Sequence, residues 1–162
     1  MIWVTPTSLP DVTQNMNTPI SALLERKGSA LHTVSATITI AAAVTEMNRN
    51  RVGSVLVVEG GALIGIFTER DVLRRVVGAG IDPKVMRVCD VMTKGVLTVA
   101  PEATVEEVMA IFTEKRCRHL PVMKDGRLLG MISIGDASRW LSDLHRDEAQ
   151  HLKSYIAGGL SA

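Results

Sequence analysis

The sequence predicts an α/β fold of the α+β type, in which two copies of a β-α-β-β-α unit pack against each other. A phrase that joins an apolar run to a helix occurs twice, over residues 65–71 (GIFTERD) and 130–136 (GMISIGD). The halves align without gaps around these phrases. Both also contain a short apolar run typical of buried strands, at residues 54–58 and 119–123. A unit this small cannot bury its own sheet, so we expect the copies to pack face to face.

The gapless alignment matches residues of the same type along the whole unit. The matched pairs are Thr33 with Thr98, Val34 with Val99, Thr39 with Thr104, Arg51 with Arg116, Gly61 with Gly126, Leu63 with Leu128, Gly65 with Gly130 and Asp71 with Asp136. Agreement over about forty residues exceeds what shared strand and helix preferences produce, and it indicates an internal duplication.

The first copy is predicted from capping residues, apolar runs and turn residues. Residues 1–17 mix Pro, Thr and Asn and form an extended N-terminal arm, which Trp3 could anchor or which could be a simple exposed tail. The following elements are a helix from Thr18-Pro19 to near Gly28, a strand at 30–34, a helix at 38–48 capped by Thr37, strands at 54–58 and 63–67 joined by Gly60-Gly61, and a helix at 68–77.

The second copy repeats this order after a loop over residues 78–84. The predicted elements are a short helix at 88–92, a strand at 96–99, a helix at 101–113, strands at 119–123 and 128–133 joined by Asp125-Gly126, and a helix from Asp136. We therefore divide the chain into an arm (1–17), a first repeat (18–84), a second repeat (85–145) and a C-terminal helix and tail (146–162).

Composition excludes several classes of function. A formal charge of +1 with no basic run gives no reason to expect a nucleic-acid partner, and no window is apolar enough for a membrane span. Cys89 and Cys117 are far apart and form no CxxC pattern, as in a reduced cytoplasmic protein, so we expect a cytoplasmic location. No catalytic triad, Walker loop or metal-ligand spacing occurs, so we predict neither an enzyme nor a metal site.

The repeated unit as a whole resembles a CBS domain pair, also called a Bateman module. Residues 118–136 (RHLPVMKDGRLLGMISIGD) are especially similar to small stand-alone bacterial members, and the resemblance covers roughly residues 16–145. It implies tandem repeats whose sheets stack about a pseudo-twofold axis, with two clefts that bind AMP, ADP, ATP, NAD(H) or S-adenosylmethionine. It also implies a homodimer formed through helices, with Trp140, Leu144 and Tyr155 as candidate contacts.

The doubled phrase carries groups suited to a nucleotide. Asp71 and Asp136 begin a helix, where a carboxylate can accept hydrogen bonds from two ribose hydroxyls. Thr68 and Ser133 lie where strand becomes helix, and the free backbone N–H groups there favour a phosphate. Arg70 adds a fork of donors. The alternative is that these residues merely cap their helices.

The resemblance supplies the remaining candidates, because the family binds an adenine edge at the first strand of each repeat, with apolar side chains on either side of the ring. The predicted ligand-binding residues are Thr33, Val34, Gly53, Ile66, Thr68, Arg70 and Asp71 in the first copy, and Thr98, Val99, Arg118, His119, Pro121, Ile132, Ser133 and Asp136 in the second.

The two copies differ in where they carry positive charge. Arg70 matches Gly135, whereas Arg118 and His119 match Gly53 and Ser54. We therefore expect two inequivalent clefts, each supplied with positive charge from a different direction. His119 could assist a phosphate contact, or could be a packed or solvent-facing histidine.

These observations predict a regulatory protein that senses adenylate or nicotinamide-adenine levels and acts in trans on an unknown effector protein, with no catalytic cofactor. The alternative is a constitutive dimerisation or scaffold protein whose clefts bind ligand weakly or not at all.

Overall fold

The computed structural model describes residues 17–28 and 30–159. Most of the predicted arm, including Trp3, and the side chain of Tyr155 lie outside the described residues. The elements are α1 (Ile20–Lys27), β1 (Thr33–Ser35), α2 (Ile40–Asn50), β2 (Ser54–Glu59), β3 (Ala62–Thr68), α3 (Glu69–Asp71) with a π-helix (Val72–Val77), α4 (Val88–Val91), α5 (Val105–Lys115), β4 (His119–Lys124), β5 (Arg127–Ser133) and α6 (Ile134–Gly159).

The first repeat forms a three-stranded sheet in the order β1-β2-β3, with β1 parallel and β3 antiparallel to β2. In the second repeat β4 and β5 pair antiparallel as a two-stranded sheet. The strand predicted at residues 96–99 is wrong, because only a single parallel bridge joins Val99 to Val122. In the first repeat the Leu56 N–H donates to the His32 carbonyl at 2.9 Å. Pro121 stands at the matching position and has no N–H to donate, so the ladder is limited to the two hydrogen bonds of the Val99 bridge.

Local details of the two repeats coincide. Thr39 and Thr104 are the N-caps of α2 and α5, and Arg51 and Arg116 end these helices in the left-handed conformation, with φ of 54° and 51°. Both hairpins turn at residues of positive φ and carry an irregularity at matched points, after Val57 and after Val122. These matches confirm the duplication read from the sequence.

Several predicted helix boundaries shift because another residue caps the helix. The helix predicted at 38–48 begins at Ile40, since Thr39 and not Thr37 accepts the Ala42 N–H at 3.2 Å. Similarly, α5 starts four residues after Pro101, behind the capping box of Thr104. The predicted helix at 68–77 becomes a short α-turn followed by a π-helix, whereas its counterpart α6 continues for 26 residues.

The two repeats exchange a helix. Ile20 and Leu23 of α1 pack in the core of the second repeat, whereas Val88 and Val91 of α4 pack in the core of the first. Each exchanged helix crosses the glycine of the doubled phrase. A Cβ on Gly65 would lie 2.5 Å from Met92 Sδ, and one on Gly130 would lie 2.6 Å from Leu24 Cδ2. The repeated glycine therefore provides room for a neighbouring segment, and a packed half of the molecule is not contiguous in sequence.

Candidate functional site

A cavity of about 410 Å³ opens between the two repeats, and we call it the inter-repeat cavity. The first repeat lines it with the end of β3, α3 and the start of the π-helix. The second repeat contributes the segment that joins α5 to β4. The lining residues are Gly53, Ile66, Thr68, Glu69, Arg70, Asp71, Arg74, Arg75, Thr93, Lys115, Arg116, Cys117, Arg118 and His119.

Asp71 is the buried carboxylate of this cavity, with 5% of its surface exposed. Its Oδ2 accepts hydrogen bonds from the Thr68 N–H and hydroxyl, both at 2.9 Å, and the Thr68 hydroxyl accepts the Asp71 N–H. Its Oδ1 accepts from the Thr93 hydroxyl at 3.2 Å and lies 3.5 Å from Arg75 Nη1. Asp71 and Thr68 therefore form a helix cap, and the same Asp71 carboxylate also lines the cavity.

Positive charge dominates the cavity wall. Six cationic side chains line it, namely Arg70, Arg74, Arg75, Lys115, Arg116 and Arg118, against the two carboxylates of Glu69 and Asp71. Arg75 pairs with Asp71, and Arg70 Nη1 donates to the Arg116 carbonyl at 3.2 Å, which ties the two repeats together. Among the residues that the structure describes, the other cations of this wall form no ion pair.

His119 adds a neutral group to the same wall. Its burial lowers the pKa of the imidazole below the ordinary value, and the positive charge of Lys27 lowers that pKa further, against smaller opposing effects from Asp136 and Glu69. The ring is therefore uncharged near pH 7. A neutral imidazole can donate from one nitrogen and accept at the other, so His119 can hydrogen-bond an uncharged part of a ligand.

The matching site of the second repeat is occupied by a lysine. Asp136 accepts hydrogen bonds from the Ser133 N–H and hydroxyl, both at 2.8 Å, as Asp71 does from Thr68. Lys27 Nζ lies 2.7 Å from Asp136 Oδ2 and also donates to the Met131 carbonyl at 3.0 Å. Burial acts to raise the pKa of Asp136, but the hydrogen bonds from Lys27 and Ser133 outweigh it and hold the pKa below its usual value.

Around Asp136 the charges are largely paired within the chain. The cavity there is smaller, about 240 Å³. Arg26 of its wall pairs with Asp143 at 2.5 Å, and its guanidinium stacks over the Trp140 ring at 5.4 Å. Trp140, a candidate dimer contact in the sequence, is partly buried against the core of the second repeat within the chain. Trp140 stands where the first repeat has Arg75, so the two sites differ in charge at matched positions.

The predicted site residues do not all meet at one place. Gly53, Ile66, Thr68, Arg70, Asp71, Arg118 and His119 line the inter-repeat cavity, and Asp136 lines the smaller one. Thr33 is exposed on β1, Thr98 is exposed before the Val99 bridge, and Ser133 caps α6. The cores of the two repeats enclose Val34, Val99 and Ile132, while Pro121 is buried in β4.

Both cavities carry positive charge, as expected, but its sources differ from the expected ones, since Arg26, Lys27 and Arg139 line the cavity around Asp136. Arg70 from the first repeat and Arg118 from the second line the same cavity. Sequence reasoning also missed Arg74 and Lys115 on this wall, and Lys27 beside Asp136. Arg74 lies one helical turn after Arg70, and Lys115 lies within three residues of Arg116 and Arg118, so two of the three were visible as charge patterns.

A family model for the CBS domain matches residues 11–78 and again residues 88–143. The chain belongs to the CBS-domain family. CBS-domain pairs are generally regulatory and ligand-binding, and mainly not catalytic. A mitochondrial CBS domain-containing protein of Arabidopsis thaliana, CBSX3, is 44% identical over 126 residues, which is 75% of this chain and 61% of the relative. The YlbB protein of Bacillus subtilis is 33% identical over 72% of this chain and 78% of its own.

Solved structures of CBS-domain proteins share the fold. The CBS-domain-containing protein of Agrobacterium tumefaciens is 38% identical, with a TM-score of 0.72, over 75% of this chain and 98% of its own. A hexameric CBS-CP12 protein of bloom-forming cyanobacteria is 32% identical, with a TM-score of 0.67, over 75% of this chain and 66% of its own. The mixed fold of tandem CBS repeats is therefore confirmed.

Two further features of the described residues of this CBS pair concern membrane crossing and metal binding. None of the helices between residues 17 and 159 combines the length and apolar character that crossing a membrane requires. Within the same part of the chain, no three His, Cys, Asp or Glu side chains are grouped so that they could hold a metal ion.

Proposed function

We propose that this CBS-domain pair binds an adenosine nucleotide, AMP, ADP, ATP or NAD(H), in the inter-repeat cavity and regulates a partner protein in trans. The observation that carries the proposal is the convergence of Asp71 with Arg70, Arg118 and His119 from both repeats on one cavity. A carboxylate for ribose hydroxyls, guanidinium groups for phosphate and a neutral imidazole for an uncharged edge are the groups that a nucleotide requires.

The carboxylate of Asp71 can serve both helix and ligand. Its Oδ1 contacts the Thr93 hydroxyl and Arg75, and both contacts are longer than those that Oδ2 makes with Thr68. A ribose hydroxyl that donates to Oδ1 replaces the weaker pair of contacts and leaves the helix cap in place. The ligand then touches both repeats, so it favours whichever relative arrangement of the repeats closes around it. A partner that recognises this arrangement binds with altered affinity, and the coupling is reciprocal.

The two repeats bind unequally in this proposal. Lys27 already pairs with Asp136, on the Oδ2 that also accepts from Ser133, so the charge of this carboxylate is neutralised within the chain. One nucleotide per chain therefore binds tightly, at the Asp71 site. The expectation of two inequivalent clefts thereby takes the form of one open site and one internally paired site.

A thermal-shift screen with AMP, ADP, ATP, NAD and NADH tests the proposal. At least one should raise the melting temperature, because a ligand that binds only the folded state stabilises it. The Asp71→Asn variant should lose this shift. A matched control is Asp90→Asn, since Asp90 accepts the Arg87 N–H in another capping box and lies away from the cavity. An absent shift in the unmodified protein at millimolar ligand would contradict nucleotide binding and favour the scaffold function.

We also propose that the protein forms a homodimer through the first repeat. Leu73 and Val77 are 66% and 67% exposed on the π-helix and border an apolar groove of about 190 Å³ with Val44 and Met47 of α2. The matched positions in α6 are serines, so the apolar face belongs to the first repeat alone.

Leu73→Glu should convert a dimer to a monomer in light scattering after size exclusion. The control Leu129→Glu, on the hairpin, should leave the mass unchanged; a monomeric unmodified protein would contradict the dimer.

A further inference from the structure

The inter-repeat cavity carries more positive charge than an adenosine monophosphate can use. Five cations of its wall, Arg70, Arg74, Lys115, Arg116 and Arg118, form no ion pair with any carboxylate of the described residues. These cations come from two sides of the cavity. Arg70 and Arg74 lie one helical turn apart on α3 and the π-helix, whereas the other three lie at the end of α5 and in the segment that joins α5 to β4. Like charges held around one cavity repel each other, and a bound polyanion removes that repulsion.

Counting charges sets the size of the anion. A terminal phosphate group carries a charge of about −2, which two cations balance. A monophosphate therefore leaves about three of the five cations without a partner. The smaller cavity around Asp136 provides an internal comparison, because two of its three cations, Arg26 and Lys27, are already paired with carboxylates of the same wall.

We propose that the inter-repeat cavity selects nucleotides that end in a di- or triphosphate, ADP or ATP, over AMP, and that Arg74 and Lys115 contact the terminal phosphates from opposite repeats. This inference rests on the proposed function, because Asp71 positions the ribose. Arg70 and Arg118 lie with Asp71 among the residues predicted from the sequence, and they hold the first phosphate. S-adenosylmethionine carries a positive sulfonium and is disfavoured by the same wall.

Isothermal titration of the full chain without divalent cations, at about 50 mM NaCl to limit screening, tests the selection. The probes are adenosine, AMP, ADP, ATP and inorganic tripolyphosphate. ATP should bind at least about 10-fold more tightly than AMP, the ratio that a single additional charge-assisted contact supplies. Raising the salt to about 300 mM should weaken ATP binding more than AMP binding.

A double variant assigns the effect to the two outer cations. Arg74→Gln with Lys115→Gln should lower the affinity for ATP at least about 10-fold and change that for AMP by less than about 3-fold. The matched control is Arg127→Gln, because Arg127 is an exposed cation on the β5 hairpin outside the cavity. Circular dichroism of each variant verifies that it is folded.

The outcomes separate the selection from the proposed function. Equal affinity for AMP and ATP, or an equal loss of both in the double variant, would overturn the selection and leave nucleotide binding standing. Binding of none of the adenosine compounds would overturn both. If tripolyphosphate bound as tightly as ATP and adenosine alone did not bind, the cavity would be a polyphosphate site. That result would overturn the adenosine nucleotide as its ligand.

Discussion

Replacing Lys27 with Met should destabilise the protein and open the site around Asp136. The ion pair is 2.7 Å long, and its side chains are 34% and 20% exposed, so it lies between a surface pair and a buried one. Surface pairs contribute about 0–1 kcal/mol, and removing one partner of a buried pair costs about 3–5 kcal/mol. Met keeps the apolar stem of the side chain. We therefore expect the free energy of unfolding to fall by about 1–2 kcal/mol at pH 7.

The pH dependence of this loss tests its electrostatic origin. The pKa of Asp136 in the folded protein lies below its ordinary value. The stability from the pair is therefore fully present above the unfolded pKa of about 3.9 and is lost as pH falls through the folded pKa. Urea unfolding of both proteins should give a constant difference from pH 7 to about pH 5, which shrinks below about pH 4.

Matched measurements can refute this reasoning. Lys84→Met changes an exposed lysine whose side chain forms no ion pair among the described residues, and it keeps the backbone N–H that donates to Asp82, so it should alter stability by less than about 0.5 kcal/mol. A Lys27→Met difference that persists unchanged at pH 3 would show that packing, not charge, caused it. Titration calorimetry of Lys27→Met with ATP should reveal a second, weaker binding event. Two identical events in the unmodified protein would refute the proposed inequality of the two sites.

Three further predictions concern single positions. Gly130→Ala should cost about 1–3 kcal/mol in urea unfolding, because its Cβ meets Leu24, and the loss should be smaller in a Leu24→Ala background; equal losses would place the clash elsewhere. Arg51→Gly should stabilise by about 0.5 kcal/mol, since glycine relieves the left-handed strain but adds chain entropy, and a loss above about 1 kcal/mol would contradict this. Lys27→Met should raise the pKa of His119 in an NMR titration, because a nearby positive charge is removed; an unmoved pKa would exclude that charge as a cause.

The features of the fold that could be predicted are those formed by residues close together in the sequence. The hairpin turn at Asp125-Gly126 needs positive φ at both residues, and the capping box of Thr104 and Glu107 closes within four residues. Such signals are visible because donor, acceptor and turn residue lie together in the chain. Predicted helix boundaries were wrong where two hydroxyl residues close in sequence could both act as caps, as at Thr37 and Thr39, since composition does not decide which one reaches the free N–H.

Within the site, the sequence revealed the types of group but not their partners. Asp71 and Arg70 were identifiable from the doubled phrase, and Arg118 from the difference in charge between the two copies. These residues line one cavity because of the way the two repeats pack against each other. No local sequence pattern predicts that packing. Pro121 shows the opposite case, in which a residue predicted at the ligand site has a backbone effect that shortens the sheet.

The sequence by itself determined the duplication, the CBS family and the carboxylate at each helix start. Repeats and helix caps can be identified in this way because their residues occur at fixed spacings in the chain. Only the tertiary structure decided that the α1 and α4 helices exchange places. That exchange carries Lys27 to Asp136, 109 residues away, and leaves Asp71 beside Thr93 in an open cavity. Two similar motifs acquire different electrostatic surroundings because charge acts across space, between segments whose approach is set by packing. One open, cationic site and one paired site follow from that packing.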